Sequence, residues 1–128
     1  MKIYGIGTDI VSVDRIKKSL KNKNFLKKLF NKGEIAKCSK LINSINCYAK
    51  RFAAKEALAK ALGIGFRYNL NLKDIEILND KIGKPYYCKS DKINNIINKR
   101  FKVKKFNLFL SISDEKDYSI AFTILQTK

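Results

Sequence analysis

From Tyr48 to Gly65 the chain is rich in Ala, Leu, Lys and Glu and contains no proline. It meets glycine only at Gly63 and Gly65, where a helix would end. A long helix stopping there is the firmest constraint on the fold. At about 100° per residue, Ala54, Ala57, Leu58, Ala61 and Leu62 gather on one broad side, the natural core face. Glu56 and Lys60 emerge elsewhere, one turn apart, on a narrow stripe bordered by Phe52 and Ala53. Two readings stand side by side. The pair is either an exposed i,i+4 ion pair worth ~0.2–0.5 kcal/mol, or part of a site that recruits a further carboxylate.

Asp9 is the candidate for that carboxylate. Residues 1–13 form an apolar run short enough for a buried strand and too short to span a membrane. The run also lacks the pattern of a secretory signal. Strand alternation puts Ile3, Gly5, Gly7 and Asp9 on one side and Tyr4, Ile6, Thr8 and Ile10 on the other. An Asp on the side cleared by two glycines needs a partner, because an unpaired buried carboxylate is costly. It either caps a turn or pairs with a nearby lysine, or it shares a cation with Glu56.

At 128 residues the chain is long enough for one domain, residues 1–128, with a hydrophobic core of its own. There is no histidine, and the three cysteines, Cys38, Cys47 and Cys88, lack CxxC spacing. That composition argues against a zinc site and against Ser-His-Asp or Cys-His chemistry. It points to reduced, ordinary thiols in a cytoplasmic protein. The net charge of +17 favours an anionic partner. It also allows an alternative reading as a basic nucleic-acid-binding domain without catalysis. That alternative leaves Asp9 and Glu56 unexplained, so no specific nucleic acid is expected.

Further along, Ser12 is a plausible N-cap for a basic helix over 14–21, and short helices follow at 25–30 and from Glu34. Arg15, Lys18 and Lys21 give the first helix a cationic face. Beyond Gly65 a loop containing Arg67 runs to Asn71, and a strand over 74–78 turns through 79–84 into a second strand at 85–88 with Pro85 at its first position. Ser90 caps a helix over 91–100, and strands over 106–113 and 118–125 alternate as a hairpin. Helices packed on a small, mainly antiparallel sheet make the expected class α+β. No phosphate-cradling glycine motif is present, so nucleotide recognition must rely on side chains.

Gly5-Ile6-Gly7-Thr8-Asp9-Ile10 with Arg15-Ile16, Lys50-Arg51-Phe52-Ala53-Ala54-Lys55-Glu56-Ala57 with Lys60-Ala61-Leu62-Gly63, Asp74-Ile75-Glu76-Ile77, Gly83-Lys84-Pro85 and Ser111-Ile112-Ser113 occur in that order. In these motifs the chain resembles the holo-[acyl-carrier-protein] synthase family, the small bacterial 4′-phosphopantetheinyl transferases. The block around Glu56 is the most specific part. The resemblance implies transfer of 4′-phosphopantetheine from coenzyme A to a serine of an apo acyl carrier protein, leaving adenosine 3′,5′-bisphosphate, in fatty acid biosynthesis. It implies Mg2+ held by Asp9 and Glu56, and catalytic roles for Glu56 and Lys60. It further implies coenzyme A contacts from Lys60, Arg51, Pro85 and Ser113, carrier-protein contacts from Arg15 in the basic helix that also holds Lys18 and Lys21, and a homotrimer whose sites are shared between subunits. Many relatives carry histidine where this chain has Asp114, so a mechanism needing imidazole there is excluded.

Overall fold

The computed structural model describes residues 1–65 and 67–128, so the part of the expected 66–71 loop at Phe66 lies outside the described residues. Strand β1 (Ile3–Ser12) leads into α1 (Val13–Ser19), α2 (Lys23–Leu29), α3 (Lys32–Ser39) and the long α4 (Ser44–Leu62). A 3-10 turn at Leu72–Asp74 precedes β2 (Ile77–Asn79) and β3 (Pro85–Tyr87). Helix α5 (Asp91–Phe101) and the hairpin β4 (Phe106–Asp114) and β5 (Tyr118–Thr127) complete the chain. The architecture is α+β, as expected. An antiparallel sheet in the order β1-β5-β4 carries α4 on one face, and β2 with β3 forms a separate antiparallel pair.

Local chemistry accounts for most of the boundaries. The Ser12 hydroxyl accepts the Arg15 N–H and starts α1, while Asn31 and Glu34 form a reciprocal capping box on α3. The Ser90 hydroxyl accepts the Ile93 N–H and starts α5. Helix α4 stops at Gly63, whose φ of 68° is the left-handed cap that glycine adopts without a Cβ penalty. The helix begins four residues earlier than the Ala-rich run indicated, and the expected core residues Ala54, Ala57, Leu58, Ala61 and Leu62 are all buried.

What presses the sheet so closely onto α4 is glycine. A Cβ built on Gly5 or Gly7 would land on the carbonyl oxygens of Ala61 and Ala57, so β1 runs directly over the helix backbone. The contact fixes which way β1 faces: odd positions from Gly5 to Val11 look at α4, while a register shift between Ile3 and Gly5 leaves Ile3 exposed and Tyr4 packed against the core. Contrary to the buried strand expected, the opposite face is open. Ile6 and Ile10 are each 61% exposed and are opposed by Ile124 and Ile120 of β5.

Two further expectations are corrected. The strand expected over 74–78 is shorter, because the Asp74 carboxylate accepts the Asn71 N–H and the Lys92 ammonium, which commits 72–74 to a 3-10 turn. The thiols expected to be reduced are not all free. Cys38 at the end of α3 and Cys47 in the first turn of α4 form a disulfide, with Cα atoms 5.5 Å apart, while Cys88 is free. The tight connection between the helices brings together two cysteines whose sequence spacing carries no such signal.

Among the described residues the interior holds one ion pair. Lys55 is fully buried, and its ammonium donates to Glu34 Oε1 at 2.6 Å and to the carbonyls of Leu72 and Ile75 at 2.9 and 2.6 Å. Glu34 in turn accepts the N–H groups of Asn31 and Ile77. Every hydrogen of the ammonium is used, which is what makes a buried charge tolerable. Among the described residues no helix is long and apolar enough to cross a membrane.

Candidate active site

Asp9 leaves β1 on the α4 side, and the Lys60 ammonium meets its Oδ1 at 3.1 Å across 51 positions of sequence. The two ends differ in setting: the Asp9 side chain is 14% exposed and that of Lys60 is 56% exposed. Lys60 therefore pairs with Asp9 rather than forming the i,i+4 bridge to Glu56 that the helix spacing allowed. Glu56, one turn before Lys60, lines with Asp9 a cleft of about 320 Å³ that also takes in Arg15, Ser12, Phe25 and Phe52. Burial raises the Glu56 carboxyl above its usual range, and the nearby Asp9 charge raises it further, with Lys60 pulling back.

Two carboxylates facing one cleft form an oxygen donor set of the kind Mg2+ takes. No cluster of three or more His, Cys, Asp or Glu residues able to hold a metal occurs among the described residues, so an ion here would take two protein carboxylates and fill its remaining positions from water or substrate.

The predicted site residues separate into three regions. Asp9, Glu56, Lys60 and Arg15 come together at the cleft. Arg51 and Pro85 do not join them; they line a second, more basic groove of about 610 Å³ with Lys37, Lys50, Asn79 and Asp114. Ser113 opens onto a third depression beside Ile10, Asp114 and Ile120. Of the three cations expected to meet the carrier, only Arg15 lines the cleft. Lys18 is bound to Asp14 at 3.1 Å in an exposed pair, and Lys21 is exposed just beyond α1.

Arg51 is the less ordinary member of the second groove. It is 5% exposed, yet no carboxylate lies within ion-pair distance among the described residues. Its Nη1 donates to Cys47 Sγ at 3.2 Å and its Nη2 to Asn79 Oδ1 at 2.9 Å, and its Nε is buried without a partner. Burial works against its charge, with partial compensation from Glu34. Sequence reasoning missed Lys37, Lys50 and Asn79. Lys37 and Lys50 are two among many lysines, and Asn79 reads as turn chemistry until the β2–β3 pair brings it under Arg51.

Residues 5–123 match the model of the 4′-phosphopantetheinyl transferase superfamily. A holo-[acyl-carrier-protein] synthase of Pelagibacter ubique (strain HTCC1062) is 59% identical over 128 residues, covering 100% of both chains. The crystal structure of a holo-[acyl-carrier-protein] synthase from Neisseria meningitidis superposes with a TM-score of 0.88 at 35% identity, covering 98% of this chain and 100% of that one. A Bacillus anthracis str. Ames holo-(acyl-carrier-protein) synthase, in complex with CoA (3′,5′-ADP), gives a TM-score of 0.81 at 32% identity, covering 98% of each chain. On its fold and its full-length likeness, the chain belongs to the holo-[acyl-carrier-protein] synthase family of 4′-phosphopantetheinyl transferases.

Proposed function

We propose that this enzyme carries the 4′-phosphopantetheine of coenzyme A to a serine of an apo acyl carrier protein in an Mg2+-dependent reaction serving fatty acid biosynthesis in the cytoplasm. The observation that carries this reading is the meeting of Asp9, Glu56 and Lys60 from elements far apart in the chain, at one cleft. Asp9 and Glu56 would hold the ion. When bound, Mg2+ supplies charge neutralisation at the coenzyme pyrophosphate. The serine oxygen forms its bond to the β-phosphorus as the bond to the bridging oxygen breaks, and adenosine 3′,5′-bisphosphate leaves with that oxygen and the bonding pair.

The chain's own residues serve the rest. Lys60, half in solvent and oriented by Asp9, presents an ammonium to the charge that grows on the leaving bisphosphate. Glu56 accepts the serine proton, directly or through a water. Arg15 stands at the cleft mouth on a helix of positive face, placed to steer an acidic carrier protein. Arg51, buried and with no ion-pair partner among the described residues, supports a second anion-binding region where the coenzyme's other phosphate is held, with Pro85 beside it. Ser113 is the remaining coenzyme contact proposed.

A homotrimer accounts for the separation of cleft and groove, each chain supplying one part of two different sites. The outward sheet face supports it. Ile6, Ile10, Ile120, Phe122 and Phe109 lie there in cross-strand rows, substantially exposed, an apolar patch of the kind that seats another subunit. Calorimetric titration with coenzyme A tests the site: wild type binds more tightly with Mg2+ than with EDTA. Asp9→Asn and Glu56→Gln abolish that difference; a difference surviving in both variants contradicts the assignment.

A further inference from the structure

The Oδ1 of Asn79 accepts from Arg51 Nη2 at 2.9 Å and from Lys37 Nζ at 2.7 Å. Its Nδ2 donates to the Gly83 carbonyl at 3.0 Å, which ties the same side chain to the β2–β3 turn. One neutral amide oxygen thus aligns two cations at the wall of the basic groove. Two of the carboxylates nearby are engaged elsewhere, and Asp114, also on the groove, forms no ion pair with Arg51 or Lys37 among the described residues. Asp80 also lines the groove, but its Oδ1 accepts the N–H groups of Ile82 and Lys84 at 3.0 and 2.8 Å. Glu34 acts on Arg51 only through its charge, its oxygens being taken by Lys55, Asn31 and Ile77.

An acceptor at this position is needed, because without one the long side chains of Arg51 and Lys37 would lose their common anchor. A charged acceptor would be the ordinary choice, since a carboxylate adds the attraction of a full opposite charge to the bonds the two cations make. A carboxylate would also cancel the charge that the groove offers. An arriving phosphate would then have to displace an ion pair instead of completing one.

We infer that Asn79 is a positioning residue that sets anion affinity in the groove, holding Arg51 and Lys37 on a neutral acceptor so that their charge remains available to a phosphate of coenzyme A. The inference rests on reading the groove as part of the coenzyme site. It places on one amide a role that composition and turn chemistry hide.

Asn79→Asp and Asn79→Ala separate the alternatives, assayed for the KM of coenzyme A and for kcat at saturating carrier, with adenosine 3′,5′-bisphosphate as the calorimetric probe. Asn79→Asp is expected to raise KM about ten-fold or more and to exceed Asn79→Ala, with kcat within about two-fold of wild type. A role confined to holding the turn loses the Nδ2–Gly83 bond in both variants and lowers the unfolding midpoint of both with no KM excess for aspartate; Asn79→Ala equal to or worse than Asn79→Asp in KM, or a loss confined to kcat, overturns the inference. If Asn79→Asp does not fold, Lys37→Glu against Lys37→Gln on exposed α3 asks the same question, and equal KM values for that pair overturn it. Wild-type protein that binds neither coenzyme A nor the bisphosphate removes the functional reading and this inference together. Tight wild-type binding with an unchanged Asn79→Asp removes this inference alone.

Discussion

The α-carbon of Gly7 lies against the backbone of Ala57, so close that a methyl group there would coincide with the Ala57 carbonyl oxygen. This contact seats β1 on α4, and two residues later it delivers Asp9 to Lys60. Gly7→Ala is therefore expected to cost about 3 kcal/mol or more, because the obstruction is backbone and cannot swing aside. Denaturant unfolding measures it. A loss below about 1 kcal/mol would mean that strand and helix separate more easily than the packing implies.

Removing the ammonium at the cleft should harm chemistry far more than the fold. Lys60→Met is expected to lower kcat/KM for coenzyme A by about 10²-fold or more, with only a modest fall in the unfolding midpoint, because Lys60 is half in solvent although the mostly buried Asp9 loses its cation. Steady-state kinetics beside a thermal melt separate the two effects.

Lys55 is next to Glu56 in sequence but points into the interior, and its replacement should act through stability. Lys55→Met leaves Glu34 buried without its cation and is expected to cost about 3–5 kcal/mol. Adding Glu34→Gln should recover part of that loss, since a neutral amide needs no counter-charge. Thermal melts of the single and double variants check the ordering.

The acid limb of stability should carry a contribution from Asp74. Burial alone would raise its carboxyl, but hydrogen bonds from the Lys92 ammonium at 2.6 Å and the Asn71 N–H at 3.0 Å outweigh burial and hold it below the ordinary carboxylate value. A depressed folded pKa stabilises above the unfolded value, near pH 4, and the contribution is lost as pH falls through the folded one. The stability gap between wild type and Asp74→Asn should therefore be constant from neutral pH to about pH 5 and narrow below about pH 4. Urea melts across that range report it, and a gap that widens on acidification contradicts the sign.

Much of this was legible beforehand, for physical reasons that differ by element. Helix α4, the C-terminal hairpin and the caps at Ser12 and Ser90 follow from periodicity and local hydrogen bonding, which are written in consecutive residues. The pairing of Asp9 with the Glu56 stripe was legible only because two glycines cleared one face of β1. What escaped depends on chain reversal. The Cys38–Cys47 disulfide, the Lys55–Glu34 pair and the cradle of Asn79 beneath Arg51 join segments whose proximity no local spacing announces. The shortened β2 escaped because the Asp74 side chain competes with the strand ladder for the backbone at Asn71.

The central claim is that Asp9 and Glu56 act as one unit in moving phosphopantetheine to a carrier protein. Its most direct measurement is the intact mass of an apo acyl carrier protein after incubation with this enzyme, coenzyme A and Mg2+. Wild-type enzyme is predicted to add one phosphopantetheine to the carrier; EDTA, Asp9→Asn or Glu56→Gln is predicted to leave it unmodified. A carrier that stays unmodified with wild type and Mg2+, or is modified equally well by the carboxylate variants, would contradict it.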